Sequence, residues 1–253
     1  MARKRKRRRR GAGLGRLLGP LSVMLAVVVV VAALTMFFKV GEIEVSGNSR
    51  YTGEQIAAAT GVEIGDNLVL LDKYGITQRL FVDLPYITEA RINRRFPSTL
   101  TIDVTETQAA ASVSGAGVYW LISRAGKLLE PVEEEQAREY LVITGAEADA
   151  PAAGSELVLN EESPLSLERL KELLGDLFER DMLARTEGID MQNPNKLVLL
   201  YDNRFQVEMY YDADFDFKLT CLEEAVEVLQ PNETGILRMT MDNELEVRFI
   251  RSD

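Results

Sequence analysis

The side chains able to do chemistry in this 253-residue chain are few, and their spacing suits it poorly. There is no histidine, which removes the commonest general base and the commonest metal ligand. A serine–histidine triad therefore cannot form, and no serine is followed three residues later by lysine, the pairing of the penicillin-binding enzymes. Asp212, Asp214 and Asp216 alternate as calcium ligands could, but Phe215 and Phe217 interleave them without a glycine turn, and Asp214 reads better as a helix cap. Gly11, Gly13 and Gly15 lack the preceding strand of a phosphate-cradling loop and read as a flexible linker. Acids are plentiful enough for a glycosidase pair, but sequence carries no distances and no pair stands out. Tyr119, Trp120, Tyr201, Tyr210 and Tyr211 fall on expected strands, where half-buried core is the first reading and partner contact the second. The chain reads as a binding scaffold and not an enzyme, with no cofactor and no metal site. The alternative is a membrane-anchored envelope enzyme or a transport accessory, which a cell-wall hydrolysis assay would separate.

Charge is distributed as if on two objects. Residues 1–16 hold nine basic side chains and no acid, whereas beyond Val40 there are 19 basic against all 40 acidic side chains. Between them residues 17–38 carry no charge. As a helix those 22 residues would span roughly 33 Å, against about 30 Å for a bilayer's apolar core. The basic cluster places the amino terminus in the cytoplasm and everything after Lys39 outside, and there it meets anionic lipid sooner than nucleic acid. A cleaved signal peptide is the rival reading, but this apolar run is longer and ends in Met36-Phe37-Phe38, too bulky for a peptidase. No later segment has 18 uninterrupted apolar residues, so one crossing is expected. The single cysteine, Cys221, cannot make an internal disulfide, and an exported domain without disulfides suits a bacterial envelope; Cys221 itself lies in an apolar helical pattern and is expected to be buried.

Beyond the membrane segment, Val40, Ile43 and Val45 mark a strand closed by Ser46-Gly47-Asn48-Ser49. Thr52 and Gln55 form a capping box for a short helix that Gly61 stops. Ile76, Leu80, Phe81 and Leu84 recur at helical spacing until Pro85. Residues 86–95 and 100–105 then read as two strands around Phe96-Pro97-Ser98. Strand, helix, helix, strand, strand in about 68 residues predicts two helices on one face of a three-stranded sheet. A second block from Gln108 has strands expected at 118–123, 127–129 and 140–144, then an exposed loop at 145–154. A helix opening at Pro164-Leu165 follows, with Leu167, Leu170, Leu173, Leu174, Leu177 and Phe178 inward. Strands at 196–201 and 205–211 flank an Asp202-Asn203 hairpin turn. A helix at 215–229 and strands at 235–241 and 244–249 complete the pattern.

These pieces resemble the FtsQ/DivIB family of bacterial cell division proteins. Residues 38–48 match the "I-x-V-x-G-N" opening of that family's POTRA domain. Leu84-Pro85-Tyr86-Ile87, Ala90, Arg94-Arg95-Phe96-Pro97-Ser98-Thr99-Leu100 and Val104-x-Glu106 match its paired strands. The resemblance covers about 1–250, sharply over 38–106 and more loosely afterwards; no family motif guides the acidic stretch at 145–162. It implies an α+β chain: basic tail 1–16, transmembrane helix 17–39, POTRA domain 40–107, and a mixed-sheet β domain 108–253 with helices on one side. It also implies a divisome scaffold at the septum, bound outside the membrane to the single-pass coiled-coil partners DivIC (FtsB) and FtsL, that helps regulate septal peptidoglycan synthesis.

The candidate partner site is the last strand, Glu244, Leu245, Glu246, Val247, Arg248 and Phe249. Its apolar positions would face the domain's own core while its free backbone edge accepts a partner strand. Glu246 and Arg248 would then discourage self-pairing. The second choice is the strand at 100–106.

Overall fold

The computed structural model describes residues 14–240 and 247–251, with side chains throughout except at 14–19 and 33–35. A 24-residue helix, α1 (Leu14–Phe37), comes first. Its described side chains cover 20–32 and 36–37, and among the described residues no helix is long and apolar enough to cross a membrane. The expected tail up to residue 13 lies outside the described residues.

The first globular unit runs β1 (Glu42–Ser46), α2 (Gly53–Ala59), α3 (Lys73–Asp83), β2 (Ile87–Arg95) and β3 (Thr99–Glu106). The sheet order is β1-β3-β2, with β1 parallel and β2 antiparallel to the central β3. The expected capping box is present: the Thr52 hydroxyl accepts from the Gln55 amide, and the Gln55 side chain accepts from the Thr52 amide at 2.8 Å. Leu100, Ile102 and Val104 alternate inward from β3 and meet Ile56, Ile76 and Leu80 of the two helices. Ile92 pairs directly with Ile102 in this core, as the alternation requires. The apolar phase of β2 changes between Ile87 and Ala90 because a bulge shifts the register there.

A two-residue link, Thr107-Gln108, leads into a nine-stranded mixed sheet. Its strands are β4 (Ala109–Gly115), β5 (Val118–Ser123), β6 (Leu128–Val132), β7 (Leu141–Glu147), β8 (Thr186–Asp190), β9 (Leu197–Tyr201), β10 (Phe205–Met209), β11 (Gly235–Arg238) and β12 (Arg248–Arg251). They lie in the order β12-β11-β10-β9-β8-β7-β4-β5-β6. The helices α5 (Leu167–Glu179) and α6 (Phe215–Val228) cover one face, burying Leu170, Leu173, Leu174, Leu177, Leu219 and Leu222 against Val113, Ile143, Leu199 and Val207. A single turn, α4 (Glu134–Ala137), lies on the other face: Ser112, between the core residues Ala111 and Val113, donates to the Ala137 carbonyl at 3.1 Å. Helices on one side therefore describes α5 and α6 but not α4.

Several expected boundaries move. β4, β8 and α4 occupy stretches for which the sequence pattern predicted no element. The strand expected at 127–129 is Leu128–Val132, that at 140–144 is Leu141–Glu147, and α5 starts at Leu167 behind the Ser166 cap. Residues 145–154 are not all loop, since β7 extends to Glu147 and Ala148 bridges Leu159. Phe178 does not point inward; it is 47% exposed, and the Arg124 guanidinium lies 4.4 Å from its ring centre. Cys221 is buried, and that burial pushes its thiol pKa up.

The two units meet through Tyr86, Leu121 and Leu129, flanked by Tyr51 and Tyr140. Tyr86 Oη donates to Glu130 Oε1 at 2.6 Å, Arg50 pairs with the same carboxylate at 2.9 Å, and Lys127 Nζ donates to the Ile87 carbonyl at 2.8 Å. Glu106, at the end of β3, accepts from the amides of Ser49, Arg50 and Tyr51 and from the Ser49 hydroxyl. Its carboxyl is buried enough to be pushed up, but those hydrogen bonds outweigh burial and hold it below the usual range.

Candidate functional site: an open sheet edge

A large sheet has two edges, and here they are treated differently. At the β6 edge, Leu128 donates to the Ser155 carbonyl, Gly154 donates to the Leu128 carbonyl, and Lys127 bridges Glu156, so residues 154–157 cover the start of the strand. At the other edge, β12 pairs with β11 antiparallel, from Gly235↔Arg251 to Arg238↔Arg248. Among the described residues nothing pairs with the outer side of β12.

The site residues expected on this strand divide accordingly. Glu244, Leu245 and Glu246 lie outside the described residues. Val247 and Phe249 pack against the core on the helical face, and Phe249 meets Phe205 edge-to-face with ring centres 6.2 Å apart. Arg248 and Ile250 are exposed on the opposite face. The described strand is Arg248–Arg251 and so runs two residues past the expected end at Phe249. The second choice fails on topology: β3, which holds 100–106, is the central strand of its sheet and has both sides paired.

Two devices fix the edge. Gly235 sits where β11 meets the end of β12, and a Cβ there would stand 2.2 Å from the Ile250 carbonyl oxygen and 2.9 Å from Phe249 Cε2. Only glycine admits that approach. The second is Glu208 on β10, whose carboxylate accepts from Lys196 Nζ at 2.6 Å and from Arg238 Nε at 2.8 Å. Arg238 stands directly opposite Arg248, two like charges that Glu208 offsets. Arg251 pairs with Glu233, and Arg204 donates to the Gln230 and Glu233 carbonyls, anchoring the turn before β11. Sequence reasoning placed Gly235 in a strand but missed its role, although a lone glycine in a strand signals close backbone approach. The Glu208 cluster left no local signal, since its partners stand 12 and 30 residues away.

Burial pushes the Glu208 carboxyl up, but its bonds to Lys196 and Arg238 prevail and hold it below its ordinary 4.5. A group depressed in the folded state contributes stability that is complete above its unfolded pKa and lost as pH falls through the folded one. Glu208→Gln is therefore expected to cost about 1–3 kcal/mol at neutral pH. The gap in melting temperature from the unmodified protein should close as pH is lowered past 4.5. A gap that stays constant down to acid pH would show that the charge of Glu208 does not matter.

The remaining candidates are structural where described. Asp214 accepts from the Phe217 amide as the cap of α6, and Asp216 pairs with Arg180. Trp120 and Tyr201 are core, Tyr119 and Tyr211 are half-buried, and Tyr210 is exposed.

A three-stranded domain with two helices, joined to a mixed sheet that ends in an open edge among the described residues, defines a POTRA-bearing α+β protein. Family models agree: the FtsQ-type POTRA domain matches residues 38–107, and the model described as cell division protein FtsQ/DivIB, C-terminal, matches residues 111–250. The chain belongs to the FtsQ/DivIB family. It is 34% identical over 109 residues to a cell division protein FtsQ of Corynebacterium glutamicum, covering 43% of this chain and 49% of that one. It is 28% identical over 191 residues to the FtsQ of Syntrophotalea carbinolica, covering 74% and 65%. A cell division protein DivIB of Clostridium botulinum is 24% identical over 144 residues, covering 57% and 56%. The chain thus spans about half to two thirds of the length of these relatives.

Proposed function

We propose that this chain is a cell division scaffold anchored by α1 in the bacterial cell membrane at the septum, with its amino terminus cytoplasmic. The POTRA domain (40–107) and the β domain (108–253) then lie outside. The uncharged 22-residue run and the basic residues before it support that topology. The β12 edge adds a strand from a DivIC/FtsB-like partner, itself joined to an FtsL-like protein, and through them the scaffold influences the septal peptidoglycan synthase. The observation that carries this reading is the asymmetry of the large sheet: one edge is covered by 154–157 and the other, among the described residues, is left open. A bare edge invites uncontrolled pairing, so a short one flanked by charge suits a single chosen partner. Arg248, exposed on this strand, offers the edge a basic side chain and favours an acidic partner strand.

Successive amides along a strand alternate between its two sides, so proline placed in turn at Arg248, Phe249 and Ile250 removes donors from the inner ladder and from the open edge. Circular dichroism identifies the variants that stay folded. At least one folded variant is expected to lose co-purification with the DivIC-like partner. Undiminished binding by every folded proline variant would refute edge pairing.

A further inference from the structure

The end of the POTRA domain nearest α1 carries large apolar side chains that its own core does not take up. Ile64 is 66% exposed, Leu70 73% and Phe96 57%. They come from separate segments, the 61–71 loop and the turn between β2 and β3, yet each is tied to the stretch in which α1 ends and β1 begins. Leu68 donates to the Phe38 carbonyl at 2.9 Å, Gly65 donates to the Val40 carbonyl at 2.7 Å, and Val40 donates to the Asp66 carbonyl at 2.8 Å. Gly41 donates to the Ser98 carbonyl at 2.8 Å, and the Phe96 ring meets Phe38 edge-on at 5.0 Å between centres. The loop is held in place as well: Asn67 Oδ1 accepts from the Val69 and Leu70 amides, and Arg94 donates to the Leu71 carbonyl at 2.7 Å. These side chains are therefore presented from fixed backbone, directly beside the exit of a helix whose last described residues, Met36 and Phe37, are themselves exposed.

We infer that Ile64, Leu70 and Phe96 form a collar seated in the lipid interface of the leaflet from which α1 emerges, so that the POTRA domain rests on the membrane instead of swinging on a tether. The occupant of this patch is lipid because the patch is continuous with the end of α1: a bilayer that holds Phe37 lies within a residue or two of Phe38, and Phe38 touches Phe96. Apolar side chains on such an interfacial surface sink about 5–10 Å into the headgroup boundary. Lys39 and Lys73 are exposed beside the collar, and their long stems let the ammonium groups reach the headgroups while the carbons follow the apolar surface. The inference rests on the reading of α1 as a membrane anchor, and its test keeps the two apart.

The full chain, with Cys221→Ala removing the native thiol, is reconstituted in vesicles of phosphatidylethanolamine and phosphatidylglycerol. Single cysteines replace Val29 in α1, Leu70 in the collar, or Val228, which is 83% exposed at the end of α6. Each is labelled with an environment-sensitive fluorophore and challenged with lipids carrying a nitroxide. The expected result is quenching and a blue shift at Val29→Cys and Leu70→Cys, with neither at Val228→Cys. Quenching at residue 29 with a water-like signal at 70 overturns the collar and leaves the anchor standing. No quenching at residue 29 overturns the anchor, and the collar with it. A signal at 70 that shifts only when a partner protein is added overturns the collar in favour of a protein contact.

Discussion

Ile102→Ala is expected to lower the melting transition of the POTRA domain by at least about 8 °C. Ile102 is fully buried on the central strand β3, opposite Ile92 on one side and Val45 on the other, beneath both helices. Removing a buried isoleucine side chain to its Cβ typically costs about 2–5 kcal/mol, because the cavity collapses only in part. A domain this small loses roughly 4–8 °C for each kcal/mol. Calorimetry on the whole chain would follow it, with the β-domain transition as internal reference. An unchanged POTRA transition would mean that the side chain of Ile102 does not carry the core.

The second large effect is expected at Gly235. In Gly235→Val the new Cβ meets the Ile250 carbonyl oxygen at 2.2 Å, and backbone in a ladder cannot swing aside as a side chain can. Overpacking of this kind costs about 1–3 kcal/mol, which four residue pairs at a sheet margin cannot absorb. The strand Arg248–Arg251 should therefore leave β11, exposing its amides to hydrogen exchange and abolishing partner capture. The rest of the sheet, held by β10 and its Glu208 cluster, should remain protected. Retained protection at 248–251 together with normal partner capture would remove Gly235 from the account.

The parts of this fold that sequence disclosed are those whose causes are local. The Thr52–Gln55 capping box spans four residues, the Asp202-Asn203 turn shows itself in two residues at positive φ, and the Leu100, Ile102 and Val104 alternation lies within one strand. The parts it hid are imposed from a distance. β4 reads Ala-Ala-Ala-Ser-Val-Ser-Gly, a poor strand by propensity, and is a strand because β5 and β7 pair with it on both sides. β8 contains Gly188, where a Cβ would stand 3.0 Å from the Val142 carbonyl; the weak local pattern is the cost of that close packing. Phe178 has the right helical spacing for the core, but it is the second-last residue of α5 and faces Arg124. Of the expected edge strand, the inward set of Phe249 and Val247 could be read from alternation. The dependence of that edge on Gly235 and Glu208 could not, since both act through neighbours on other strands.

The parallel pairing of β1 with β3 has a mechanical consequence. Helix α1 joins the chain just before β1, and the β domain hangs from the far end of β3. Any tension between the two ends therefore pulls these neighbouring strands lengthwise past each other. The five pairs from Glu42↔Thr99 to Ser46↔Asp103 must then share the load simultaneously, in shear, instead of opening one after another like a zip. Glu106 grips the amides of 49–51 just beyond that ladder and adds a rivet at the end where the β domain attaches. The domain is thus wired as a stiff coupling, able to pass force between α1 and the β domain without being drawn out.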